Sequence, residues 1–188
     1  LFAELNGKFS DKTNYDLIIQ NVSNDNYLQI HDLEQSTALI NDDSSLTSEF
    51  KINSNIDENT NFNGSFKRYE NLSLKDSDRY QYIFPEFNFI KDIKTDPNYN
   101  GNFTFISSGH QKNYDTNIYE AQINNDFNFN SNDFITESGL VTDYSLLLKN
   151  FNTYGRNSSI YDEKNEHKIF STVIIKSEYP LKKELENS

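Results

Sequence analysis

Thr116 to Phe129, TNIYEAQINNDFNF, is the stretch whose reading decides the fold. Tyr119, Ala121, Ile123, Phe127 and Phe129 fall on one parity, and Glu120, Gln122, Asn124, Asp126 and Asn128 on the other. Side chains of a strand alternate between the two faces of its sheet, so the pattern predicts one long strand with an apolar and a polar face. A helix would scatter the same residues around its circumference and leave no stripe. A long two-faced strand suits either a wide sheet with one wet face or a barrel wall with a polar lumen. The polar stripe is then a water-facing surface or a lumen lining, and alternation does not separate the two.

Composition narrows the class. The chain has 188 residues, enough for one ordinary domain. Hydrophobic content is 35% and mean hydropathy -0.80, both low, yet 15 Phe and 12 Tyr are present. Disordered chains are poor in aromatics, so disorder is excluded. A net charge of -12 argues against nucleic acid, which is bound by clustered Lys and Arg. Without Cys there is no disulfide framework, thiol nucleophile or Cys-ligated zinc. No apolar run is long enough for a transmembrane helix, a test that membrane barrels escape. The chain opens at Leu1 in mid-pattern, as a piece of something longer would.

Outward from the opening stretch, the same alternation recurs more weakly. A first strand carries Leu1, Ala3, Leu5, Gly7 and Phe9; after the turn Ser10–Thr13, a second carries Tyr15, Leu17 and Ile19. Val22–Ser45 reads as a long loop with one helical turn. Leu46, Phe50 and Ile52 mark a third strand, and Phe62, Gly64 and Phe66 a fourth after the turn Asn55–Asn59. Glu70–Arg79 is a polar connection to a fifth strand, Tyr80–Ile93. There the apolar parity switches after Pro85, which predicts a bulge because Pro cannot donate to the ladder. Phe103 and Phe105 mark a sixth strand, Leu140 to Lys149 an eighth and Ile169–Ser177 a ninth. Lys94–Asn100 and Asn130–Asp133 read as turns, Ser107–Asp115 and Asn150–His167 as longer connections.

On this reading the connections alternate short and long. The expected fold is all-β: an antiparallel up-and-down meander of about nine strands, an open part of one transmembrane β-barrel with no domain boundary inside residues 1–188. A Greek-key sandwich is the alternative, but it has no reason to sort loop lengths by end. The polar stripe Glu120, Gln122, Asn124, Asp126 and Asn128 would face the lumen, and Tyr119, Ala121, Ile123, Phe127 and Phe129 would face lipid.

Chemistry-bearing motifs are few. His31, His110 and His167 lie far apart in stretches that read as loops and lack partners at ligand spacing. Asn41-Asp42-Asp43 and Asp76-Ser77-Asp78 do not match the spaced calcium loop. No phosphate loop, nucleophile elbow or Ser/His/Asp arrangement occurs. The residues therefore predict no enzyme, cofactor or metal.

Several runs carry a family resemblance. NYDLIIQNVSNDNYLQIHDL (Asn14–Leu33), with Ser23-Asn24-Asp25-Asn26-Tyr27-Leu28 closing a strand, resembles a strand-to-loop passage of the LPS-assembly outer-membrane family LptD, also called OstA or organic-solvent-tolerance protein. RYQYIFPEFNF (Arg79–Phe89), NYDTNIYEAQINNDF (Asn113–Phe127) and GLVTDYSLLLKNFNTYG (Gly139–Gly155) resemble its later strands. The resemblance implies the central part of the family's C-terminal barrel, in the outer membrane of a Gram-negative bacterium. It implies lipopolysaccharide and outer-membrane lipids as partners, with an LptE-like lipoprotein in the lumen. The family's periplasmic jelly-roll, its gate-forming first and last strands and its cysteines have no counterpart here, so gating residues are not carried over. Another outer-membrane barrel (porin or receptor) and a soluble secreted all-β binding module are the rivals.

Overall fold

A computed structural model describes residues 1–31, 44–75, 78–95, 100–114 and 117–179. Nearly everything described is one open antiparallel sheet. Its strands are β1 (Phe2–Ser10), β2 (Thr13–Gln20), β3 (Ser45–Asp57), β4 (Thr60–Asn71), β5 (Tyr80–Ile93), β6 (Gly101–Tyr114), β7 (Tyr119–Ser131), β8 (Phe134–Ile135), β9 (Val141–Arg156) and β10 (Glu166–Glu178). Each strand pairs with its chain neighbour, except that the two-residue β8 lies off the path and pairs with β9, so β7 meets β9 directly. The sheet thus has ten strands rather than about nine, with nine on the continuous path. The short helix α1 (Tyr27–His31) supplies the helical turn expected after the second strand; Asn41-Asp42-Asp43 lies outside the described residues, as do Asp76 and Ser77.

Most of the expected connections are partly strand. β6 continues through Ser107 to Tyr114, β9 through Asn150 to Arg156, and β4 runs to Asn71. The sorting of loop lengths by end fails with them. Connections 11–12 and 58–59 are short, but residues 94–100 and 132–140 at the same end outlast residues 115–118 at the other. We call the end with turns 11–12 and 58–59 the turn end, and the opposite one the loop end.

The bulge at Pro85 is present. Register slips between Ile83 and Glu86 against β6, and between Ser65 and Lys67 against β4. The extra residue keeps Tyr80, Tyr82 and Phe84 on the same face as Phe87 and Phe89 despite the parity switch. Across the sheet, partners opposite each other share a face, so registers sort every strand. One face gathers the aromatics, with cross-strand rings such as Phe103–Phe129 at 4.5 Å, Phe9–Tyr15 at 4.7 Å and Phe66–Phe84 at 5.9 Å.

Apolar burial is slight for such a chain. Leu28, Leu46 and Leu72 form a small cluster where the β2–β3 connection packs on the rim, joined by Phe2, Val22 and Tyr27. A polar network closes it. Arg79 donates to Glu70 at 2.7 Å and to Asp25 at 2.7 Å, while Arg68 and Tyr80 donate to the same Glu70 carboxylate at 3.2 and 3.0 Å. The Arg79 guanidinium holds the Asp25 carboxyl below the usual carboxylate range. Because the folded value is the lowered one, the tie is complete above the ordinary carboxylate pKa and is lost as pH falls through the folded value. Protection of the amides in residues 21–31, taken relative to the intrinsic exchange rate at each pH, should therefore fall in acid. Asp25→Asn should show the lowered protection at neutral pH, and unchanged protection would refute the tie.

Candidate site: a polar hollow and an apolar belt

The polar face is built row by row. One row crosses the whole path: Asn6, Asp16, Lys51, Ser65, Glu86, His110, Gln122, Thr153 and Glu166. The next, toward the turn end, places Asn14, Asn53, Asn63, Asn88, Ser108 and Asn124 in register on six successive strands. A cavity of about 420 Å³ lies over these rows and spans β3 to β7, so the sheet curls toward its polar side. Glycine helps the curl: the ring of Phe87 lies over Gly109, where a Cβ would stand 2.9 Å from it and 2.6 Å from the Gln122 carbonyl.

Lys67 and Glu86, two of the charges in the hollow, are paired within it. Lys67 lies 2.5 Å from Glu86 and 3.6 Å from Glu49, and Ser65 donates to Glu86 at 3.2 Å. Lys149 and Asp126 pair at 3.2 Å. Connection 157–165 folds onto the same face. Ser158 donates to Glu120 at 2.7 Å and Tyr161 to Gln122 at 2.6 Å, leaving Glu120 buried. Glu120, Gln122, Asn124, Asp126 and Asn128 all share this face, and the opening stretch misses its main partners because those come from β4 to β6 and β9.

The other face carries Tyr119, Ala121, Ile123, Phe127 and Phe129 together. Ile123 is 44% and Phe127 38% exposed, whereas Phe129 is buried between Phe103 and Tyr144. Asn125 also points this way, a polar interruption that the alternation passes over. It belongs to a hydrogen-bonded row. Ser107 donates to Asn125 at 2.8 Å, Asn125 to Asn150 at 3.2 Å, Asn152 to Asn150 at 2.5 Å, and His167 to Asn152 at 2.7 Å.

The apolar belt crosses the strands obliquely. A continuous register row, Gly7, Tyr15, Ile52, Gly64, Phe87, Gly109, Ile123, Asn152 and His167, gives the reference. On β2 the belt centres on Leu17, two residues from that row toward the loop end; on β9 it centres on Leu146, six residues toward the turn end. On β5 it spreads to both sides. A drift of about eight residues over six strand spacings, at ~3.3 Å rise and ~4.8 Å spacing, puts the strands about 40° from the belt's normal. Strands of outer-membrane barrels tilt by about 35–45°.

The histidines are apart: His31 stacks on Tyr27 at 4.6 Å, His110 lies in the hollow and His167 on the apolar face. Among the described residues no group of three or more His, Asp or Glu could hold a metal ion, and no helix is long and apolar enough to cross a membrane. No protein-family model matches the chain, and no curated protein or solved structure is significantly similar to it.

Proposed function

We propose that this chain is a length of wall from a transmembrane outer-membrane β-barrel, its polar hollow lining a conduit and its apolar face meeting lipid. The oblique belt carries the reading. A sheet in water has no reason to arrange its apolar residues about 40° across its strands, whereas a barrel of tilted strands must do so to keep the belt level in a bilayer. The single layer of strands agrees with this, since exposed Leu, Ile and Phe side chains then meet acyl chains rather than water.

The cargo we assign is lipopolysaccharide, delivered to the outer leaflet with an LptE-like lipoprotein in the lumen. Support for that finer step is the resemblance of Asn14–Leu33 and Arg79–Phe89 to the LPS-assembly family. Depleting the full-length protein should lower lipopolysaccharide on the cell surface and accumulate it inside. The charge-paired, asparagine-lined hollow also suits a general solute channel. Depletion that slows uptake of small polar solutes and leaves surface lipopolysaccharide unchanged would favour that second reading.

A further inference from the structure

The amides on the two faces of the sheet are used differently. On the apolar face Asn125, Asn150 and Asn152 bond one another, and the row ends on Ser107 and His167. In the hollow Asn53, Asn63, Asn88, Ser108 and Asn124 also stand side by side, in register on β3 to β7. Among the described residues none of these five side chains has a hydrogen-bond partner, and the Asn124 Oδ1 is buried without one. All but Asn53 line the cavity, where Lys51 and Lys67 balance Glu49 and Glu86 in charge.

An amide both donates and accepts hydrogen bonds, as a hydroxyl group does. A row of unpaired amides amid balanced charge therefore suits a ligand rich in hydroxyls, and offers little to a phosphate or an ammonium group. Neighbouring positions in the row are one strand spacing apart, ~4.8 Å, close to the length of a sugar ring. Strands tilted by about 40° turn a register row into a ramp, which rises about 12 Å from β3 to β7 at that spacing. We infer that this row is a track for a saccharide chain, successive amides meeting the hydroxyls of successive sugars along the wall. Hydrogen bonds exchanged with water contribute little each, so the chain is held weakly and can move on, as a conduit requires. The inference rests on the conduit reading and adds the chemical group that the hollow recognises. Free oligosaccharides and the sugars of a lipopolysaccharide share that chemistry.

Saturation-transfer NMR, which reads weak binding, tests this on the full-length protein in a detergent without sugar. Maltohexaose and core oligosaccharide cleaved from lipopolysaccharide are the two probes. Transfer to the core oligosaccharide alone would make lipopolysaccharide the source, and transfer to both a general saccharide channel. Asn63→Ala combined with Asn88→Ala should weaken binding roughly tenfold, the loss of two hydrogen bonds. Asn113→Ala, on the apolar face, should leave it unchanged. Ser108→Ala should weaken binding in the same direction and serves if the double variant does not fold. No transfer to either sugar, or transfer that the hollow variants leave unchanged, would overturn the track. Ion current through the protein in planar bilayers reads the conduit separately. Current without sugar binding would reject the track alone, whereas no current would reject the conduit and the track with it.

Discussion

Leu146→Arg in the full-length protein is expected to cost about 2–4 kcal/mol of folding stability, the loss an Arg causes near the midplane of a barrel's lipid face. Leu146 is 42% exposed, opposite Phe129 on β7 and Val173 on β10. For a sheet facing water, an exposed position of this kind would tolerate the change to within about 0.5 kcal/mol. The two readings thus differ several-fold in one measurement, a reversible urea titration in lipid vesicles. Ile123→Arg is the internal comparison. Ile123 lies on the same face and is 44% exposed, so the same change there is also expected to cost well above that tolerance. Equal and negligible costs at both positions would remove the lipid-facing assignment of this face.

How far the sequence disclosed this architecture depended on whether a strand had one apolar face. β5 was legible to its ends, Tyr80 and Ile93, because five aromatics and the Pro85 parity switch leave little else for it to be. β7 was legible through its alternation, although it begins at Tyr119 rather than Thr116 and runs on past Phe129 to Ser131. The second half of β6 was not. There the outward residues are Ser107, Gly109, Gln111 and Asn113, so both faces are polar or bare and alternation vanishes. The strand persists because its backbone is paired on both sides, to β5 and β7, a cause that lies in the neighbours. Asn150 and Asn152 hid the end of β9 in the same way, and His167 the start of β10. Loop lengths misled for this reason, since Ser107–Tyr114 and Asn150–Arg156, counted as loop, are strand without an apolar stripe. The hollow was half legible: its β7 wall is the opening polar stripe, but Lys67, Glu86 and Lys51 come together only through register. The oblique belt follows from register alone.

Expressed by itself in plain buffer, the 188-residue chain should aggregate, or stay in solution only with detergent. Its accessible surface is 13142 Å² for 22.0 kDa, against about 9,300 Å² for a compact monomer of that mass. Among the described residues few apolar side chains are buried, and nothing covers the apolar face. The edges add to this. Among the described residues β1 and β10 each lack a partner on one side, and with nine strands on the path they run the same way, so antiparallel closure onto each other is not available. β10 is the greater hazard. Val173, Ile174 and Ile175 are 63%, 48% and 70% exposed, and such a run on a long free edge invites pairing with another copy. Lys168 and Lys176 are its only positive charges, too few to hold copies apart. Light scattering and gel filtration with and without detergent read the outcome. A monodisperse monomer that unfolds cooperatively in buffer would defeat the membrane-wall reading and favour a soluble secreted binding module, because only a covered apolar face could give that behaviour.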